Sequence, residues 1–186
     1  METRQLSGLR CFATSTVMTL LVLSTTPLVF GQENAPSAAV ASVIKGVVLD
    51  PTTYAPALIQ YDSTMRDWKT SQTFFQNGYM EHNPRFTLSG RPNDMPLSYT
   101  AGKSLIFKDT LATLGVSAAQ NLMSRLVEQA LLSRYPDHPK AVKTIGWVQR
   151  IALASVTSYQ LSALHYRQAG LNVQRAQELG YQQTGR

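Results

Sequence analysis

The stretch DWKTSQTFFQNGYMEHNPRF, Asp67 to Phe86, decides how the chain is laid out. Its first half, up to Asn77, carries large apolar residues at helical spacing, and its second half opens with Gly78 and closes on Asn83 and Pro84. A glycine directly after a periodic run is the usual left-handed residue that ends a helix. An asparagine before a proline favours extended or turn geometry. The stretch therefore reads as the end of one helix and the start of a long connection to the next.

Working outward, the first helix spans about Pro56 to Asn77. On a helical wheel Tyr61, Met65, Trp68 and Phe75 share one side, with Thr64, Asp67, Ser71 and Phe74 at its edge. Asp62, Arg66, Lys69, Thr73 and Gln76 face the other way, and Asp62 and Arg66 stand four apart as an exposed pair. The segment Gly78 to Ser98 holds three prolines and two glycines, so it is a set of turns.

A second helix covers about Ala101 to Arg134 and a third about Lys140 to Gln177, separated by YPDHP. In the second, Leu105, Leu111, Ala112, Ala118, Ala119, Leu122, Leu126 and Ala130 form one side. Thr110, Thr113, Ser117, Asn121, Arg125 and Glu128 gather on the other. In the third, Trp147, Ile151, Ser155, Ser158, Ser162, His165 and Ala169 recur at steps of three and four and are expected inside. The fold class is all-α: a three-helix bundle over 51–177, with a flexible tail over 178–186.

Upstream, METRQLSGLR is basic, and Cys11 to Gln32 is uncharged across 22 residues. This is the layout of a secretory signal peptide over 1–31, with Val29 and Gly31 placed for cleavage after Gly31. The stretch is also long enough to stay as an anchor, since about 20 apolar residues cross a bilayer. Residues 32–50 read as a flexible linker whose VIKGVVL run, Val43 to Leu49, favours extended structure.

The chain's single cysteine, Cys11, lies inside that leader. Chemistry resting on a disulfide, a thiolate or a cysteine-bound metal is therefore excluded from the body. The net charge is +6, but the basic residues are scattered, so no nucleic-acid groove is expected. An anionic lipid or an envelope protein is the better partner for such a charge. The uncharged runs Thr110 to Ser124 and Ile151 to Leu164, 15 and 14 residues, fall short of a span.

Four residues carry possible chemistry. Asp67, Glu81 and His165 are the candidates for acid–base catalysis, and with Asn83 they are candidate ligands for a hard or borderline metal. For either role, Asp67 and Glu81 must converge on the face bearing His165. The residues match no H-E-x-x-H, phosphate-loop or G-x-S-x-G motif, and they identify no cofactor. SALHYR, Ser162 to Arg167, lacks the further elements of a membrane acid phosphatase.

Asp67, Thr70, Gly78, Glu81, Asn83 and Pro84 together resemble a D-x-x-T, G-x-x-E-x-N-P pattern in small helical bacterial membrane proteins of unknown activity. The resemblance covers about twenty residues and the order of helix, loop and two helices. It implies a compact bundle in or on the inner membrane, and no reaction. The expected function is an exported, envelope-associated structural or interaction protein at the periplasmic side; the alternative is a hydrolase or metal enzyme built on Asp67, Glu81 and His165.

Overall fold

The computed structural model describes residues 36–182, with side chains from residue 40 onward. The contacts below all lie within the unit Ala38–Arg186. The chain is mostly helical: α1 spans Pro36–Leu49, α2 Pro51–Gln76, α3 Tyr99–Arg134 and α4 Pro139–Glu178. The proposed signal peptide, residues 1–31, lies outside the described residues.

The extended reading of VIKGVVL is overturned, because Val43 to Leu49 is the second half of α1. The described part of the flexible linker is helical as well, from Pro36. β-branched residues lower helix propensity by only tenths of a kcal/mol each, so packing overrides them. Here Val43 and Val47 are buried, and Gly46 lies directly against the Arg125 guanidinium.

The α2 helix starts five residues earlier than its sequence suggests. Asp50 caps it, its carboxylate accepting a hydrogen bond from the Thr52 N–H at 3.1 Å, and Pro51 occupies the first turn, where a missing N–H costs nothing. Pro56 then sits inside the helix, fully buried. At the other end Asn77 and Gly78, with φ of 84°, close the helix as the sequence indicates.

The α2–α3 connection is ordered by backbone pairing. Glu81 bridges Asp94 and Thr87 bridges Pro96, around a 3-10 turn at Pro84–Phe86. The turn drives Phe86 into the core, where its ring lies 5.0 Å from that of Trp68, with Phe75 at 5.6 Å on another side. Trp68, Phe86 and Ile106 are the buried cluster, flanked by Tyr61, Met65, Leu97 and Leu105. Gly102 stands against the indole with no room for a Cβ, and the Trp68 Nε1–H donates to the Tyr99 carbonyl at 3.2 Å.

Elsewhere the bundle departs from its expected orientation. On α3 the buried residues are Gly102, Ile106, Ser117, Asn121 and Ser124, whereas Leu111, Leu122 and Leu126 are exposed. Over Ser117 to Ser124 the polar side is the inner face. On α4, Ser158, Ser162 and Ala169 are inside as expected, but Trp147, Ile151 and Ser155 are outside; Val142, Gly146, Arg150 and Ala154 take the inner positions. On α2, Thr73 is buried rather than exposed. Small side chains allow close backbone approach, which selects these faces over bulkier ones.

The described start of the tail, 178–182, is less free than expected. Gly180, with φ of 69°, turns the chain after α4, and the Tyr181 ring packs edge-on against Phe74 and Tyr79. No described helix is long and apolar enough to cross a membrane.

Candidate functional site

Two polar clusters sit between the helices. The first is built on Asp67 of α2 and His165 of α4, whose Nδ1 lies 2.8 Å from Asp67 Oδ2. Asn172, two turns further along α4, directs its amide nitrogen to Ser71 Oγ at 3.0 Å, Thr70 Oγ1 at 3.2 Å and Asp67 Oδ1 at 3.4 Å. Gln168 donates to the Asn172 oxygen at 2.9 Å and so fixes which way that amide points. Both α4 residues reach one face of α2, because 165 and 172 are seven apart and 67, 70 and 71 fall within one turn.

A carboxylate on Nδ1 orients an imidazole and favours the tautomer that leaves Nε2 free to take a proton. That is half of a general-base arrangement. The other half, a nucleophile hydrogen-bonded to His165, does not occur among the described residues.

Glu81 and Asn83 have different duties. The Glu81 carboxylate accepts the Asn83 N–H at 2.7 Å, and the Asn83 side chain accepts the Arg85 N–H at 3.1 Å, capping the 3-10 turn. Arg85 in turn grips Asp109 of α3 through two bonds of 2.7 and 2.9 Å. The sequence-derived set therefore divides: Asp67 and His165 come together, while Glu81 and Asn83 are bonded within the loop. Among the described residues, no three His, Cys, Asp or Glu side chains are grouped to hold a metal ion. The proposed ligand set of Asp67, Glu81, Asn83 and His165 is not assembled.

The second cluster escaped the sequence reading. Asp50 Oδ2 accepts from Arg125 Nη2 at 2.6 Å and lies 3.1 Å from Arg150 Nε; Arg150 Nη1 donates to Glu128 at 2.6 Å. Asn121 links this quartet to α2, donating to Thr52 and Thr53 at 2.9 Å each and accepting from Arg125 Nε at 3.1 Å. Two cations and two anions leave it neutral. Gly146 gives Glu128 and Arg150 the space for their contact.

Burial by itself would raise the Asp50 pKa. The Thr52 hydroxyl and N–H bonds, with the bond and charge of Arg125, outweigh it and hold the carboxyl below its ordinary 3.8. A visible signal existed in the i, i+4, i+7 spacing of Asn121, Arg125 and Glu128 on one face. That spacing was equally compatible with a solvated face.

A recess of about 10 Å³ opens beside the quartet, lined by Thr52, Pro56, Ser117, Asn121, Arg150 and Ala154 among others. Such a volume holds about one water, far below a substrate pocket. The chain matches no protein-family profile, no curated protein and no solved structure.

Proposed function

We propose that the protein is an exported, envelope-associated component of structural or interaction type, held in the periplasm or on the periplasmic face of the inner membrane. The observation that carries this reading is the inverted patterning of α3 and α4. Ser117, Asn121, Ser124, Arg150, Ser158 and Ser162 are buried, while Leu111, Val116, Met123, Leu126, Val156 and Leu164 are exposed. Each large aliphatic side chain left in water forgoes about 1.5–3 kcal/mol of burial. So extensive an apolar exterior is the mark of a surface that meets something else. The uncharged stretch Cys11 to Gln32 supports export or anchoring.

Cell fractionation with an alkaline carbonate wash tests the reading. The expected result is protein in the envelope or periplasmic fraction, and recovery from the cytosol would overturn it. A second reading, a hydrolase centred on Asp67 and His165, is favoured by their 2.8 Å contact alone. It requires that Asp67→Asn and His165→Gln abolish a measurable activity while the melting temperature stays unchanged. Loss of both together marks the pair as structural.

A further inference from the structure

The α3–α4 hairpin extends past the last ion pair between its helices, Arg150 with Glu128, by about 9 Å on the α3 side at 1.5 Å per residue. Its inner side is closed: Val142 and Gly146 are buried. Around it Leu131, Tyr135, Ile145, Trp147 and Val148 are all exposed, and Trp147, at 56%, stands on the same face of α4 as Lys143 and Lys140, four and seven residues earlier.

Three cations stand among these apolar residues. Arg134, Lys140 and Lys143 are exposed and form no salt bridge in the described structure, against one exposed acid, Asp137. All the other ionised partners near this end are consumed in the neutral Asp50 quartet. The tip is thus apolar, aromatic and net positive at once.

We propose that this hairpin tip is a docking element for an anionic bilayer, seating Trp147 at headgroup depth while Lys140 and Lys143, on the same face of α4, meet lipid phosphates. The inference rests on the envelope reading above and names the surface and the partner. Tryptophan and tyrosine with flanking lysine and arginine are the side chains that settle at a membrane interface. A hairpin whose helices are too polar to span lies in that interface instead of crossing it. A second copy is the poorer occupant, because a two-fold contact would press the three cations against their own images.

The test uses the full chain and vesicles whose acyl chains are brominated near the headgroup, made with phosphatidylglycerol or with phosphatidylcholine alone. Of the two tryptophans, Trp68 is buried and Trp147 is exposed, so quenching that disappears in Trp147→Phe reports the hairpin. Attachment through residues 11–32 alone would leave Trp147 unquenched.

The expected result is Trp147 quenching by phosphatidylglycerol vesicles, weakened at least about tenfold by Lys140→Glu with Lys143→Glu, at unchanged helical content. Co-sedimentation without quenching, or equal quenching by neutral vesicles, overturns the docking proposal and leaves the envelope reading standing. A solution dimer that shields Trp147 before lipid is added overturns it in favour of self-association. Recovery of the protein from the cytosol in the fractionation defeats the envelope reading by itself.

Discussion

The two halves of this bundle obey opposite packing rules. Around Trp68 the interior is aromatic and aliphatic, closed by Phe86 and Ile106, and its polar contacts sit at the rim. Around Asp50 and Arg150 the interior is ionic and hydroxyl-rich, and the large aliphatic side chains point outward. The first region gains stability from removing apolar area from water. The second gains little that way: a buried ion network roughly balances desolvation against attraction, and fixes register more than it adds free energy. The Trp68 region is held by apolar burial, and the Asp50 region by charge and hydrogen bonding.

The sharpest break of this contrast is Trp68→Ala, which empties the aromatic core around Phe75 and Phe86 and is expected to cost about 3–5 kcal/mol in urea unfolding. Leu126→Ser on the outer face of α3 is expected to change stability by no more than about 0.5 kcal/mol in the same measurement. If Leu126→Ser costs as much as Trp68→Ala, the outer face is not outer.

In the polar region, Arg150→Met strips Glu128 of its ion-pair partner and weakens the hold on Asp50. A loss of about 3 kcal/mol is expected in urea, and Arg150→Met with Glu128→Leu is expected to recover part of it. The asymmetry between breaking and replacing a pair distinguishes an ionic interior from an apolar one.

Acid offers a gentler probe. Because the folded Asp50 pKa lies below 3.8, its ionised form contributes stability that is fully present above that value. The contribution is lost as pH falls through the depressed folded value. Melting temperatures of the parent protein and Asp50→Asn are therefore expected to stay apart above pH 3.8 and to draw together as pH falls from there through the depressed value.

Asn172→Ala should cost about 1–2 kcal/mol by removing the amide that joins α4 to Thr70 and Ser71. The smallest effect is expected from the exposed Asp62–Arg66 pair. Arg66→Ala should shift stability by about 0.5 kcal/mol or less, because solvent screens it. A larger loss in either case would show that this end of the α2–α4 contact carries more of the fold than its hydrogen bonds suggest.

Much of this organisation can be read directly from residue order. Gly78 marks the end of α2 because only its left-handed backbone fits there, and Asn83–Pro84 marks a turn because proline constrains its predecessor. Asp67 leans to the packed side of α2 as its position on the wheel implies, and there it meets His165 and Asn172. The inner face of α3 is not legible. Its wheel has two coherent sides, and hydrophobicity chooses the leucine side unless the opposing helix is known to offer Asp50 and Arg150 to the other.

For α1 the obstacle is different. Valine and isoleucine at Val43 to Val48 favour strands in general, but no second strand exists among the described residues to pair with them. The D-x-x-T, G-x-x-E-x-N-P residues look like a reactive set on paper. In three dimensions Thr70 and Asp67 clamp α4, and Glu81 and Asn83 build the turn that seats Phe86.

The carboxylate of Asp50 has a consequence for the order in which the chain assembles. Its partner Arg125 lies 75 residues downstream, and Arg150 lies 100 downstream (150 less 50). Closing such distant contacts is slow compared with forming a helix or a local turn. While the chain is being made, α2 and the loop with Phe86 can settle against the start of α3 and Asp50 can meet Arg125, but its contact with Arg150 waits for α4. The contacts of Asp67 with His165 and Asn172 reach further along α4 still, so both polar clusters stay incomplete for as long as that helix is missing.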